Sequence, residues 1–250
     1  MLVIMPNRFE GKAALVTGSA RRVGRAVALH LGDLGMDVAV HHRSTETAKA
    51  AEEVASSIRA LGRRSLVVCA DLTNPEQVAS LFDAVRRDLG ALDLLVNNAS
   101  TFERIEWPDL DLAGLRRSLT ANLEGPFLCA RAAESLLRDG GAILNLADVL
   151  ALEAVPAYTA HGVSKAALLH LTRCMARALA PRLRVCAIVP GTVLPPEDMS
   201  EAVLRSELRR IVTARPGRPE DVAEAVAYLF GAEFATGVVL EIDGGRSLTR

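Results

Sequence analysis

The 250-residue sequence predicts an α/β fold, a doubly wound parallel sheet of about seven strands with helices on both faces. Two observations predict it. Short apolar runs alternate along the chain with longer segments whose apolar residues recur at helical spacing. The first of those runs also meets a glycine-bearing turn that opens a helix.

Residues 12–17 form the first run, suited to a strand buried on both faces of a parallel sheet. Gly18 follows, then Ser19-Ala20-Arg21-Arg22-Val23-Gly24 and a helical pattern over 22–34. Strand, turn and helix in that order aim free backbone N–H groups and the positive helix end at a phosphate. Gly18 allows the tight turn, and Gly24 lets backbone and ligand approach closely. The pair alone does not separate a nucleotide turn from an ordinary connection, because its spacing departs from G-x-G-x-x-G and Arg22 stands where another glycine is common.

The second strand, 36–41, ends at His42-Arg43-Ser44, where an NAD-binding protein places a carboxylate for the ribose hydroxyl. Asp37 does not fill that role, since it opens the strand. Arg43 suits a 2′-phosphate and Arg21 adds a second cation, so the implied cofactor is NADPH. Solvated surface charge is the competing reading of Arg21, Arg22 and Arg43. Further strands are expected at 65–70, 92–97, 142–147, 184–189 and 238–242, with helices at about 45–61, 75–89, 114–138, 159–180 and 219–230. A ligand crevice then lies at the carboxyl ends of the strands.

The length suits one domain over residues 1–250, undivided by a Pro/Gly/Ser-rich linker. A net charge of −1 implies neither a nucleic-acid surface nor a disordered acidic tail. No apolar stretch reaches membrane-spanning length, and the apolar opening at 1–6 is too short for a signal peptide. Cys69, Cys129, Cys174 and Cys186 lie apart in apolar runs and read as reduced core residues, which suits a cytoplasmic protein. His30 and His170 lie in helical patterns and His41 in a strand; nothing has metal-ligand spacing, so no metal is expected.

Thr17-Gly18 with Gly24, Asp71 after the third strand, Asn97-Asn98-Ala99 after the fourth, Asn122 in a helix, Lys165 in another, Pro190-Gly191 and Asp243-Gly244-Gly245 follow one another from about residue 10 to the C-terminus. Together they resemble the short-chain dehydrogenase/reductase family, with its Rossmann-type sheet. Within the family the chain is most similar to pteridine reductases, through Ala20-Arg21-Arg22-Val23-Gly24, His42-Arg43-Ser44, Asn98-Ala99-Ser100-Thr101-Phe102, Asp148 and the ending Gly244 to Arg250. The resemblance implies that Gly18, Arg21, Arg22, Val23, Gly24, His42, Arg43, Ser44, Asp71, Leu72, Asn98, Ala99, Ser100, Lys165, Pro190 and Gly191 bind the cofactor. Asp71 would accept from the adenine amino group, with the N-cap of the helix near Pro75 as its alternative reading.

The same resemblance assigns Arg22, Ser100, Phe102, Asp148, Tyr158, His161 and Leu194 to the substrate, a small-molecule pterin or folate. Phe102 would stack on a flat heterocycle, against the plainer reading of a loop aromatic covering the core. In the family a Tyr hydroxyl exchanges the proton, a Lys four residues later supports it and an Asn holds a water chain. Lys165 and Asn122 match, but His161 stands four residues before Lys165 and thirteen after Asp148, where the Tyr belongs. Imidazole titrates near 6.5, against about 10 for a phenol, and is a common general acid. The expected catalytic set is therefore Asp148, His161, Lys165 and Asn122, with Asp148 and His161 protonating a ring nitrogen beside the hydride-accepting carbon. The competing reading makes His161 inert and leaves the proton to Asp148 and water. Tyr158, three residues before His161, matches an additional Tyr of pteridine reductases.

Residues 192–199 are expected to form the substrate lid, with Leu194, Pro195 and Met199 as an apolar wall. Three readings stay open: a pteridine reductase-like enzyme with possible dihydrofolate reductase activity, a carbonyl reductase of the same fold, and a catalytically weak NADPH-binding sensor or scaffold. The resemblance also implies a homotetramer through the helices at 114–138 and 159–180, whose faces carry Ala130, Ala132, Ala133, Ala166 and Ala167.

Overall fold

Strand β1 (Ala13–Val16) lies between β2 (Asp37–His42) and β4 (Leu92–Asn97) in a seven-stranded sheet ordered β3-β2-β1-β4-β5-β6-β7. β3 (Ser65–Cys69), β5 (Leu137–Leu146), β6 (Arg184–Pro190) and β7 (Val239–Ile242) complete it, and every pairing is parallel. The computed structural model describes residues 7–194 and 201–249. From β1 the chain builds outward to β3 and then returns to β4 on the other side, so the strand order reverses between β1 and β4 and opens a crevice at their carboxyl ends.

Alternation along the strands sorts the core into two layers. Ala14, Val16, Val38, Val40, Leu94 and Val96 face α1 (Arg22–Asp33), α2 (Thr45–Ala60) and α8 (Pro219–Gly231), meeting Val27, Leu31, Val54, Ile58, Val226 and Leu229. Leu15, Ala39, Leu95, Ile143 and Val185 face the other way, onto Leu81, Phe82 and Val85 of α3 (Pro75–Leu89), Cys129 and Ala133 of α5 (Gly125–Ala133) and Ala176 of α6 (Thr159–Leu179).

The expected helix at 114–138 is in fact broken. α4 (Leu112–Leu119) passes through a π-turn (Thr120–Glu124) into α5, which ends at Ala133. Leu136 and Leu137, which prolong the helical pattern in the sequence, instead pair with Leu92 and are buried at the start of β5. The strand then bends at Gly140, whose φ is +80°, before the run that the sequence shows as apolar. Helix α7 (Glu201–Leu208) is an element the sequence reading missed; it follows a Pro-rich segment that reads as loop. The core reading of the cysteines holds for Cys129 and Cys186 only, since Cys69 and Cys174 are exposed, on the edge strand β3 and the outer side of α6; all four are free. The expectations for residues 1–6 and for Pro195 and Met199 fall outside the described residues. No helix among the described residues is long and apolar enough to cross a membrane.

Candidate active site

The crevice is a cavity of about 570 Å³ over the ends of β1, β2, β4 and β5. Its floor is the glycine turn. Gly18 has φ +63°, and a Cβ there would press on Ala99; a Cβ on Gly24 would lie 2.4 Å from both the Gly18 carbonyl oxygen and Asn98 Nδ2. The close approach that requires Gly24 is thus made by the protein's own atoms, the Gly18 backbone and the Asn98 side chain. Asn98 Nδ2 donates to the carbonyls of Thr17 (2.8 Å) and Gly18 (3.0 Å), while Thr17 Oγ1 accepts from the N–H groups of Asn98 and Ala99. The N-cap residue of α1, Arg21, makes no capping bond with its side chain, and the first turn of the helix, with its positive end, lines the cavity.

One wall comes from the ends of β2 and β3. Arg43 Nη2 is 3.0 Å from Asp71 Oδ2, and Asp71 Oδ1 accepts from the N–H and hydroxyl of Thr73. Partial burial opposes ionisation of Asp71, yet the bonds from Thr73 and the Arg43 guanidinium outweigh it and hold the carboxyl below its ordinary value. Asp71 does not cap the helix that follows; Asn74 does, accepting from Glu76 and Gln77. Ser44 is the N-cap residue of α2 without a capping bond, and buried His42 lies 2.9 Å from its carbonyl.

The opposite wall is built around His161, only 2% exposed in the first turn of α6. Its Nδ1 is 3.0 Å from the Thr101 carbonyl, which can only accept, and 3.4 Å from Asn122 Nδ2, whose two hydrogens go at shorter range to the Thr101 oxygen and Ser164 Oγ, so the hydrogen belongs on Nδ1. Asn122 fixes that carbonyl: in the π-turn, fully buried, it donates through Nδ2 to the Thr101 oxygen and to Ser164 Oγ, and accepts through Oδ1 from the Thr101 N–H and the Ser100 hydroxyl. The remaining ring nitrogen, Nε2, is buried with no hydrogen-bond partner among the described residues and lies 3.7 Å from Asp148 Oδ2. Asp148 is oriented by its other oxygen, which accepts from the Leu150 N–H at 2.8 Å. Gly162 permits the approach, because a Cβ there would lie 2.7 Å from the Leu150 carbonyl oxygen. One turn further, Lys165 Nζ donates to the Leu146 carbonyl at 2.8 Å; burial pushes its ammonium down to about 8, against the pull of Asp148.

Most residues singled out in the sequence therefore line one cavity: Gly18, Arg21, Arg22, Val23, Gly24, His42, Arg43, Ser44, Asp71, Leu72, Asn98, Ala99, Ser100, Phe102, Asp148, His161, Lys165, Pro190 and Gly191. Three stand elsewhere. Asn122 lies behind the wall, because its side chain is consumed by the Thr101 loop. Tyr158 lines a neighbouring cavity of about 630 Å³, separated by Phe102, whose ring sits 4.8 Å from Tyr158 and 4.7 Å from His161. Leu194, with φ +50°, presents its carbonyl, which accepts from Arg22 Nη2 across the cleft. Phe102 is 57% exposed, so it does not cover the core. Three contributors were not foreseen. Thr101 acts through its carbonyl and Gly162 through a missing Cβ, neither of which leaves a side-chain signal; His41 was a polar residue in an apolar strand. The alanine faces proposed for assembly are divided: Ala130 and Ala133 are buried against the chain's own sheet, whereas Ala166 is exposed.

The family described as enoyl-(acyl carrier protein) reductase matches residues 18–247. A short-chain type dehydrogenase/reductase of Picea abies is 35% identical, over 94% of this chain and 92% of that protein. The 3-oxoacyl-(acyl-carrier-protein) reductase FabG of Staphylococcus aureus is 33% identical, over 94% and 97%. Among solved structures, a short chain dehydrogenase from Burkholderia cenocepacia in complex with NADP superposes with a TM-score of 0.90 at 35% identity, covering 96% of this chain and 99% of that one.

Proposed function

Because the chain belongs to the short-chain dehydrogenase/reductase family, we propose that it is an NADPH-dependent reductase in which His161 exchanges the proton, acting on a flat pterin or folate ring. The observation that carries this reading is the buried Nε2 of His161, without a hydrogen-bond partner among the described residues and facing Asp148 inside the cavity. The protein fits a dinucleotide: the uncapped start of α1 and the glycine cradle suit phosphates, with Arg21 beside them. Arg43 and Ser44 would hold a 2′-phosphate, Asp71 and Leu72 the adenine, and Asn98, Ala99, Ser100, Lys165, Pro190 and Gly191 the nicotinamide half. When bound, the cofactor supplies a hydride.

His161 supplies the proton. With Nδ1–H committed to Thr101, only Nε2 is free to give one, and the Asp148 carboxylate is the counter-charge for the imidazolium. Asn122 keeps the tautomer fixed through Thr101, and buried Lys165 is held one turn further along α6 by the Leu146 carbonyl. Exposed Phe102 offers a face for stacking, and the Arg22 guanidinium a planar donor set for fused polar rings. A second reading, reduction of a carbonyl compound, is favoured by the activity of FabG. A homotetramer assembled through α5 and α6, where Phe127 and Val163 are exposed, completes the proposal.

Loss of NADPH followed spectroscopically with 7,8-dihydropterins and dihydrofolate, beside a panel of ketones, separates the two substrates. Binding of NADPH without turnover on either panel would overturn the enzymatic reading. H161A is expected to lower kcat by about 10²- to 10⁴-fold and flatten its pH profile; an unchanged rate and profile remove His161 from the chemistry.

A further inference from the structure

His41 is buried to 1% exposure at the end of β2, behind the glycine turn, and both of its ring nitrogens are engaged. Nδ1 lies 2.9 Å from the Gly18 N–H, and Nε2 lies 2.9 Å from the Ala70 carbonyl oxygen. An amide N–H only donates and a carbonyl only accepts, so both contacts are hydrogen bonds in one arrangement alone: a neutral imidazole with its hydrogen on Nε2. The backbone of the same residue joins in. Its carbonyl accepts from the Ser19 N–H at 2.9 Å, its N–H donates to Ser19 Oγ at 3.1 Å, and that hydroxyl donates to the Val16 carbonyl at 2.7 Å.

These contacts link parts that no covalent connection keeps in register. Gly18 sets the left-handed bend before α1, and Ala70 precedes Asp71, the carboxylate that pairs with Arg43. Both belong to the same cavity. A hydroxyl is too short to reach both groups, a carboxylate cannot donate to Ala70, and an ammonium cannot accept from Gly18. A rigid ring with one donor and one acceptor meets both needs.

We propose that His41 is a positioning residue of the dinucleotide site: its Nε2–H imidazole spaces the Gly18 turn from the Ala70–Asp71 wall, so that the phosphate and adenosine halves are set before the ligand enters. The proposal rests on reading the cavity as an NADPH site. Its energetic logic is preorganisation, since a turn already fixed is not ordered at the expense of binding. Burial favours the neutral ring, pushing its pKa down to about 4, with His42 adding to the effect while the Ala70 bond and Asp71 oppose it.

The test uses fluorescence titration of NADPH, melting temperatures and steady-state kinetics for the wild type, H41F and H41Q. H41F removes both bonds and is expected to weaken NADPH binding about tenfold, raising KM for NADPH with kcat within twofold. H41Q retains a donor and an acceptor and is expected to bind within threefold of wild type. A lower melting temperature in H41F with unaltered NADPH affinity would reduce His41 to a structural residue and overturn the proposal. Ring ¹⁵N shifts of the wild-type protein give a second arm that needs no variant to fold: a hydrogen on Nε2 supports the proposal and one on Nδ1 overturns it. Wild-type protein that binds no NADPH would fail the dinucleotide reading, whereas the ring shifts report on His41 independently.

Discussion

At the β1–β2–β3 end of the cavity, Thr17, Gly18, Ser19, His41 and Asn98 direct their polar groups at one another, and the glycine turn is held on both sides. At the Phe102–His161–Leu194 end, a buried ring nitrogen has no partner among the described residues and an aromatic ring stands in solvent. The first end is closed on itself and offers backbone N–H groups and glycine surface. The second end holds its reactive atom from behind, through Asn122 and Thr101, and leaves Nε2 before the Asp148 carboxylate without a hydrogen bond among the described residues. A ligand that never varies suits the first construction, and one that must be protonated suits the second.

Gly24→Ala breaks the closed end and has the largest expected effect on cofactor binding. The new Cβ would meet the Gly18 carbonyl oxygen and Asn98 Nδ2 at 2.4 Å each, and because that amide is itself bonded to the Thr17 and Gly18 carbonyls, neither neighbour can give way without opening the turn. NADPH affinity is expected to fall on the order of 100-fold, with a lowered melting temperature. A G24A protein binding NADPH like the wild type would mean that the turn is not the phosphate site.

What the sequence reveals divides along the same line. The closed end is legible because left-handed or crowded backbone demands glycine, as at Gly18 and Gly24, and because Asn98 must bond to main-chain groups at a fixed strand end. At the open end, His161 is legible through its spacing from Asp148 and Lys165, whereas its environment is not. The tautomer depends on a backbone carbonyl at Thr101, the approach to Asp148 on the absent Cβ of Gly162, and the placement of Asn122 on a π-turn inside an apparently continuous helical pattern. His41 escaped notice for a related reason: in a strand buried on both faces, apolar continuity hides a polar residue whose work is turned inward.

A moderate effect is expected from acid, and it sharpens the comparison because it acts at the closed end. Unfolded His41 takes up a proton near 6.5, but the folded ring does so only near 4. Between those values the unfolded chain binds more protons, so the native state loses stability as pH falls, by roughly 3 kcal/mol across the window. Asp71, Asp221 and Asp243, whose carboxyls are held below 3.8, lose their contributions only at lower pH. Denaturant unfolding between pH 7 and 4.5 should therefore show wild type and H41Q converging as pH drops. Parallel curves would mean that His41 titrates alike in both states.

The smallest change, Phe102→Ala, probes the open end and divides the two substrates. If the ring is a stacking surface, its loss removes about 0.5–1.5 kcal/mol, which raises KM for a dihydropterin roughly two- to tenfold. A small aliphatic ketone has no face to stack, so its KM should stay within twofold, and NADPH affinity should not move. Because Phe102 also packs edge-on against His161, 4.7 Å away, the pH profile of kcat serves as the control. An unaltered profile with a pterin-selective rise in KM assigns the ring to substrate binding. An altered profile with equal losses on both substrates would make Phe102 a support for the imidazole and leave the flat-ring reading without its surface.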